Sequence, residues 1–185
     1  MRSARYTTVP RPIRLALCLC LCLAPVWGAT LEQLSLSDLI SRATLIVQGQ
    51  VTGSTASSSG SAIYTHYKVT VIQQWKGAAQ TTIDVQVPGG AANGLRQIVP
   101  GAPQLTTGQQ YVFFLWTSRT GMVSTLGFTE GVFNLRKDSS GNLMASQMPT
   151  TETVLSRTTG LPVNSAPISM PLAQLVSAIT TGAGN

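Results

Sequence analysis

Cysteine is missing from most of this chain. All three cysteines, Cys18, Cys20 and Cys22, lie within the first 28 residues. The rest of the sequence therefore has no thiol for a disulfide, a thiolate metal site or a cysteine nucleophile. If the first 28 residues are removed, the mature chain is free of cysteine.

Histidine is nearly as scarce, since His66 is the only one in the chain. A zinc site needs three or four ligands, and a serine triad needs a histidine beside both a nucleophile and a carboxylate. No GxSxG motif is present, and the six acidic residues show no spacing typical of acid–base pairs. We therefore expect a non-enzymatic chain without catalytic residues, metal or cofactor, in which His66 is a solvated residue on the polar face of a strand.

The N-terminal segment has the pattern of an export signal. Arg2, Arg5, Arg11 and Arg14 precede an uncharged apolar run from Leu15 to Trp27, which is shorter than the roughly 20 residues of a membrane-spanning helix. This pattern predicts a signal peptide over residues 1–28, cleaved after Gly28 in preference to Ala29; the alternative is an uncleaved anchor. The chain is then exported, periplasmic or extracellular, and meets the membrane only through this segment before cleavage.

The positive charge of the chain is concentrated in the same segment. It holds four of the twelve Lys and Arg residues, so eight remain against six acidic residues, a net charge of about +2. A balance this close to neutral gives no reason to expect nucleic-acid binding.

Alternating apolar and polar residues predict a mainly β domain. The clearest stretch runs from His66 to Val87, where two alternating runs separated by Lys76-Gly77 predict neighbouring antiparallel strands. The run 111–116, "YVFFLW", has no polar face and predicts a central strand buried on both sides. Other predicted elements are a strand over 45–51 with a bulge at Gly49, a flexible polar loop over 52–62, one bent strand or two over 122–137, and a weak strand over 143–145.

Two helices are predicted, one near each end of this domain. Ser35 and Asp38 have the spacing of a capping box before a short helix. Near the C-terminus, apolar residues at helical spacing follow Pro171 and precede Gly182, which predicts a helix over 171–182 that packs on the sheet. The apolar positions of this second helix are Leu172, Leu175, Val176 and Ile179. We interpret Trp75, Trp116, Phe113 and Phe114 as core residues.

The 23-residue loop from Pro88 to Gln110 is the best candidate for a binding site, because loops this long in compact domains are usually functional or partly structured. We expect its glycines to take positive φ, its apolar residues to anchor it on the sheet, and Asn93 and Arg96 to be exposed. The anchors would be Leu95, Ile98, Val99 and Leu105, and the candidate binding residues are Gly89, Gly90, Asn93, Arg96 and Gly101. The alternative is a structural cover over one end of the fold.

The order of these motifs resembles that of uncharacterised exported bacterial proteins. More distantly it is similar to the inhibitor domain of tissue metalloproteinase inhibitors and to netrin-like modules. The shared motifs are "ATLIVQGQV" at 43–51, Lys76-Gly77, and "GQQYV" at 108–112. This resemblance implies an OB-like antiparallel Greek-key barrel of five strands. Those inhibitors bind the zinc of the protease through an N-terminal cysteine that this chain lacks, so the resemblance implies the fold and not the inhibition.

These observations divide the chain into four parts: a signal peptide over 1–28, an OB-like domain over 29–145, a polar surface segment or linker over 146–170, and a helix over 171–182. We expect an exported binding module that recognises a protein or a polysaccharide through the loop 88–110. The alternative is a structural envelope or surface protein without a small-molecule site, which would assemble through an exposed strand edge. A hydrolase whose residues converge only in the fold is the third and least favoured hypothesis.

Overall fold

The computed structural model describes residues 30–150, 152–156, 158–163 and 166–183. The expected signal peptide, its cleavage site and the three cysteines lie outside the described residues. The protein is mainly β, with two α-helices, α1 (Leu36–Arg42) and α2 (Leu172–Ala183), and a 3-10 helix at Phe128–Gly131. The strands are β1 (Thr30–Glu32), β2 (Leu45–Ser59), β3 (Ala62–Lys76), β4 (Thr82–Pro88), β5 (Gly90–Ala92), β6 (Leu95–Gln97), β7 (Gln110–Thr117), β8 (Val123–Thr125), β9 (Val132–Lys137), β10 (Leu143–Gln147), β11 (Thr153–Leu155), β12 (Pro162–Val163) and β13 (Ser169–Pro171).

The main sheet contains a closed ring of five strands. β2 pairs with β3, β3 with β4, β4 with β8, β8 with β7, and β7 with β2. All of these pairs are antiparallel except β4–β8, a parallel contact between Val85 and Val123. On its other edge β7 pairs with β9, which continues the sheet through β10 to β13.

Strand β7 is buried on both faces, as its sequence predicts. Phe113 and Phe114 are both fully buried but belong to different cores, because successive side chains of a strand point to opposite faces. Phe113 joins a core inside the ring, with Val47, Val51, Val69, Val85 and Val132. Phe114 joins a second core between the sheet and the two helices, with Leu39, Ile46, Phe133, Leu175 and Ile179.

Both helices form where the sequence predicts them. Ser35 and Asp38 complete a capping box: the Ser35 hydroxyl accepts from the Asp38 N–H at 3.1 Å, and the Asp38 carboxylate accepts from the Ser35 N–H at 3.2 Å. Helix α2 buries Leu175 and Ile179 against the second core. Its packing on the sheet and on α1 is therefore confirmed. None of the helices within the described ranges is long and apolar enough to cross a membrane.

Strand β2 is much longer than the predicted strand 45–51. The expected flexible loop over 52–62 is wrong, because residues 52–59 continue β2 and pair with Ala62–Lys68 of β3. Serine and glycine have little intrinsic tendency to form a strand, but pairing with a neighbour outweighs local propensity. A register shift between Gln48 and Gly49 lies at the position where a bulge or a bend was expected, but the extra residue is Ile72 on β3. We call residues 52–59 the β2 extension.

Both tryptophans that were expected in the core, Trp75 and Trp116, are more exposed than predicted. Trp75 is only partly buried against the second core. Trp116 is 43% exposed, so its assignment to the core is wrong. By strand alternation Trp116 lies on the same face of β7 as Phe114, but two residues closer to the end of the strand at Thr117. Residues 146–170, expected to be a surface segment, contribute the short strands β11, β12 and part of β13.

A substitution at Gly131 tests the close packing at the junction between the 3-10 helix and β9. A Cβ at this position would lie 3.0 Å from the Phe114 carbonyl oxygen and would collide with that of Leu126. We expect Gly131→Ala to lower the free energy of unfolding by about 2 kcal/mol or more, because neither backbone oxygen can move freely. Gly53→Ala is the control, since a Cβ there meets no atom within 4 Å; it should change stability by less than about 0.5 kcal/mol in urea titrations. Equal stability of the two variants would contradict this packing.

Candidate functional site

The long loop after β4 contains regular structure that its sequence did not predict. Residues 90–97 form a small antiparallel hairpin of β5 and β6. Asn93 and Gly94 make its turn, with φ of 53° and 74°. Two successive positive φ values are typical of a type I′ turn, for which Asn-Gly is the preferred pair. The segment 88–110 therefore contains a hairpin over residues 90–97, and residues 98–109 form the loop that leads from it to β7.

Glycine is required where the hairpin approaches the β2 extension. Gly90 has φ of 130°, and a Cβ there would collide with the Thr65 hydroxyl and lie 3.2 Å from the Ala56 Cβ. Gly89 also has positive φ, at 100°. The predicted positive φ values at Gly89, Gly90, Gly94 and Gly101 are all confirmed. Close approach, more than turn formation, explains the adjacent glycines after Pro88.

Hydrogen bonds fix the hairpin to the ends of β2 and β3. Ile63 is bound twice: its carbonyl accepts from the Gly89 N–H at 2.7 Å, and its N–H donates to the Gln97 side chain at 2.6 Å. At the tip, the Asn93 amide donates to the Ser58 hydroxyl at 2.9 Å. Further along, the Gly101 carbonyl accepts from the Thr129 N–H at 3.2 Å, which connects the loop to the 3-10 helix.

The apolar residues of the loop divide differently from the prediction. Leu105 is buried in the ring core, as expected. Leu95 and Ile98 are 69% and 74% exposed, so their role as anchors is wrong. The physical reason is that the hairpin is held by the backbone and by polar side chains, which leaves its apolar residues free to face solvent. Asn93 and Arg96 are exposed, as predicted.

A cavity of about 340 Å³ lies between this loop and the strands β3 and β4. Tyr67, Val87 and Leu105 form the buried part of its lining and also belong to the ring core. The Tyr67 hydroxyl accepts a hydrogen bond from the Leu105 N–H at 3.4 Å, which connects the loop 98–109 to β3. The rest of the lining comes from Thr65 and from residues 88–91, 96–99 and 102–104, among them Gly89, Gly90, Arg96 and Gln97. The structure thus brings three candidate residues to one cavity, while Asn93 and Gly101 only fix the loop.

The chemistry of this lining favours binding over catalysis. Arg96 is the one charged residue among the described lining residues, which include no histidine, carboxylate or cysteine. The lining therefore offers hydrogen-bond donors and acceptors and a single positive charge, but no general acid or base near neutral pH.

His66 has partners that the sequence did not reveal. Its Nδ1 lies 2.9 Å from an Asp84 carboxylate oxygen, and its Nε2 lies 3.1 Å from the Ser57 hydroxyl. The side chain is 31% exposed and lies on the polar face of β3, as predicted, but it is not simply solvated. The structure therefore brings a serine and a carboxylate to His66, which was expected to be only a solvated strand residue. Ser57 escaped notice because residues 52–62 were predicted to be a loop.

Glu130 is a second residue that sequence reasoning missed. It lies in the 3-10 helix, is only 7% exposed, and accepts a hydrogen bond from the Leu34 N–H at 3.1 Å. Burial raises the pKa of its carboxyl from 4.5 to about 7; the Leu34 hydrogen bond opposes this rise and the charge of Glu32 adds to it. The only sequence signal for this buried carboxylate was its position between two glycines, in "GFTEG" at 127–131. A small cavity of about 80 Å³ borders this residue, too small for more than a few water molecules.

Glu130 makes stability depend on pH in an unusual direction. Because its folded-state pKa lies above its unfolded value, the folded state holds a proton that the unfolded state releases. We expect the free energy of unfolding to fall by about 2–3 kcal/mol between pH 4.5 and pH 8. Glu130→Gln keeps an acceptor for Leu34 and should remove this fall, which urea titrations at several pH values would measure. Parallel pH profiles for the two proteins would contradict the assignment.

Comparison with protein-family models, with curated proteins and with solved structures finds no match to this chain. Within the described ranges, no group of three or more His, Cys, Asp or Glu side chains could hold a metal ion. Among the described residues, the cavity under the β5–β6 hairpin and the cluster of Ser57, His66 and Asp84 are the arrangements from which function is argued.

Proposed function

We propose that this chain is an exported binding module built on an OB-like barrel, and that the cavity under the β5–β6 hairpin recognises a polar segment of a polysaccharide or a protein. The observation that carries this proposal is the hydrogen-bonded hairpin itself. A loop that only covered the core would not need to hold a polar cavity open beside it. Export is supported by the basic and apolar pattern of the first 28 residues.

The order of the five ring strands supports the OB-like fold. Taken in chain order, β2, β3, β4, β7 and β8 are the first to fifth strands of the ring, and their spatial order is 1-2-3-5-4 with closure between 4 and 1. The third and fifth strands are parallel and the other neighbours are antiparallel. These pairings are consistent with a five-stranded, partly open Greek-key barrel. β9, β10 and β13 would then be an addition to that fold.

The lining indicates which ligands would suit the cavity. Arg96 has no ion-pair partner among the described residues, so its guanidinium is free to bind an anion. Gly89 and Gly90 bring backbone close to the cavity, and Gln97 and Gln104 add side-chain amides. A ligand rich in hydroxyl groups and carrying a carboxylate fits this set of donors. Leu95 and Ile98 offer an apolar surface next to the cavity for a larger partner.

Binding can be tested with two polysaccharides that differ in charge. We expect the protein to bind polygalacturonate more tightly than its methyl-esterified form in calorimetric titrations. Arg96→Ala should weaken binding to polygalacturonate about tenfold, the scale of one hydrogen bond to a charged group. Arg136→Ala, which removes an exposed arginine from β9, is the matched control and should leave binding unchanged.

A protein partner is tested by a separate arm of the same experiment. The protein and a variant with residues 89–103 replaced by a Gly/Ser linker would be cross-linked in the exported fraction of the host. A partner captured by the first and lost by the folded variant supports recognition through the loop. If neither polysaccharide binds and both proteins capture the same material, the proposal is wrong.

One observation favours the structural alternative. β7 pairs with β2 only as far as Gln50, so the β2 extension has a neighbour on one edge alone among the described residues. This edge is uncharged and has no proline, the usual protections against strand pairing between molecules. Assembly through it would appear as concentration-dependent sedimentation that Ser54→Pro abolishes.

A further inference from the structure

Ser57, His66 and Asp84 form a continuous hydrogen-bonded row across three strands. Ser57 lies on β2, His66 on β3 and Asp84 on β4, and the row runs diagonally, because Ser57 is opposite Tyr64 and Asp84 is opposite Lys68. The two distances are 3.1 Å from the Ser57 hydroxyl to His66 Nε2 and 2.9 Å from His66 Nδ1 to the Asp84 carboxylate. Paired strands hold all three backbones in place.

These contacts set the proton positions that a nucleophilic serine needs. An ionised carboxylate can only accept hydrogen bonds, so Nδ1 of His66 carries a proton toward Asp84. Nε2 of the neutral ring is then an acceptor and receives the hydrogen bond from the Ser57 hydroxyl. This is the arrangement in which a histidine acts as general base toward a serine and a carboxylate fixes its tautomer.

The free edge of β2 supplies a donor beside Ser57. Ile63, the partner of Ser58, directs both its N–H and its carbonyl away from β2, toward Gln97 and Gly89. In an antiparallel pair, Ser58 then also directs its backbone groups away from β3, to the unpaired edge. Its N–H therefore has no backbone partner among the described residues. The N–H of the residue after a nucleophilic serine is a common donor to the oxyanion of acyl transfer.

An open depression borders His66 and Asp84, and Ser57, which does not line it, is exposed at the other end of the row. The depression measures about 590 Å³ and is lined by Gly53, Ser54, Thr55, His66, Lys68, Thr82, Ile83 and Asp84. Gly53 leaves space, since a Cβ there would meet nothing within 4 Å. This depression lies on the face of β2 and β3 opposite the hairpin, because Ala56, Ser58 and Thr65 alternate with Ser57 and His66. The site is thus separate from the cavity and does not rest on the function proposed for it.

We propose that Ser57 is the nucleophile of an esterase site that acts on esters with small acyl groups. The Ser57 oxygen forms a bond to the acyl carbon while His66 Nε2 takes the hydroxyl proton. As the ester C–O bond breaks, His66 returns this proton to the leaving alcohol oxygen. A water molecule, deprotonated by His66, then attacks the acyl carbon. The bond between this carbon and the Ser57 oxygen breaks, His66 returns the proton to that oxygen, and the carboxylic acid leaves. Asp84 is a positioning residue, and a short acyl group suits a nucleophile as exposed as Ser57.

A fluorophosphonate probe tests this proposal on the full chain. We expect one adduct per molecule, located on Ser57 by peptide mass spectrometry, and slow hydrolysis of p-nitrophenyl acetate. Ser57→Ala should abolish the adduct, and His66→Gln should slow its formation about 100-fold, the usual contribution of a general base. Ser59→Ala, an exposed serine on the same face of β2, should react at the original rate.

The role of Asp84 requires a readout other than folding. Asp84→Asn should lower the maximal rate of adduct formation while leaving the half-saturating probe concentration and the unfolding midpoint unchanged. Circular dichroism would show that each variant is folded. The proposal is overturned if Ser57 stays unmodified, if another serine carries the adduct, or if folded His66→Gln reacts as fast as the original protein.

Discussion

The long antiparallel pairing of β2 with β3 is the constraint on which both candidate sites depend. Its first part closes the ring with β7, β8 and β4, and its second part continues beyond the ring as the β2 extension. One face of this second part receives the β5–β6 hairpin through Ala56, Ser58 and Ile63. The other face carries Ser57 next to His66. Without the pairing, the hairpin would lose its support and His66 its contact with Ser57.

The two sites differ in chemistry because the strand alternates between two environments. On the hairpin side, backbone, amide side chains and Arg96 surround a cavity beside the ring core. On the outer side, His66 and Asp84 of the hydrogen-bonded row border an open depression that Lys68 also lines. The proposed ligand cavity and the proposed reactive serine lie on opposite faces of the same pair of strands. The two proposals are nevertheless independent, since neither site contains a residue of the other.

Much of the scaffold could be predicted from the sequence, because its signals are local. The capping box at Ser35, the alternation in β3 and β4, and the fully apolar β7 all determine their structure within a few residues. The β2 extension could not be predicted, since "TGSTASSS" reads as a loop until a partner strand pairs with it. The Asn93-Gly94 pair was a usable signal for the β5–β6 hairpin. The row of Ser57, His66 and Asp84 could not be predicted either, because it depends on the pairing register of three strands. This register places residues 57 and 84 diagonally on either side of position 66.

Hydrogen exchange of the backbone amides, followed by NMR, tests the central claim most directly. If the β2 extension is a strand with one free edge, the amides of Thr55 and Ser57 bind β3 and exchange slowly, while those of Ala56 and Ser58 face solvent and exchange fast. The Ile63 amide, bound to Gln97, should also be protected. This alternation would support both sites. Uniformly fast exchange over residues 52–59 would show a flexible loop and would contradict both.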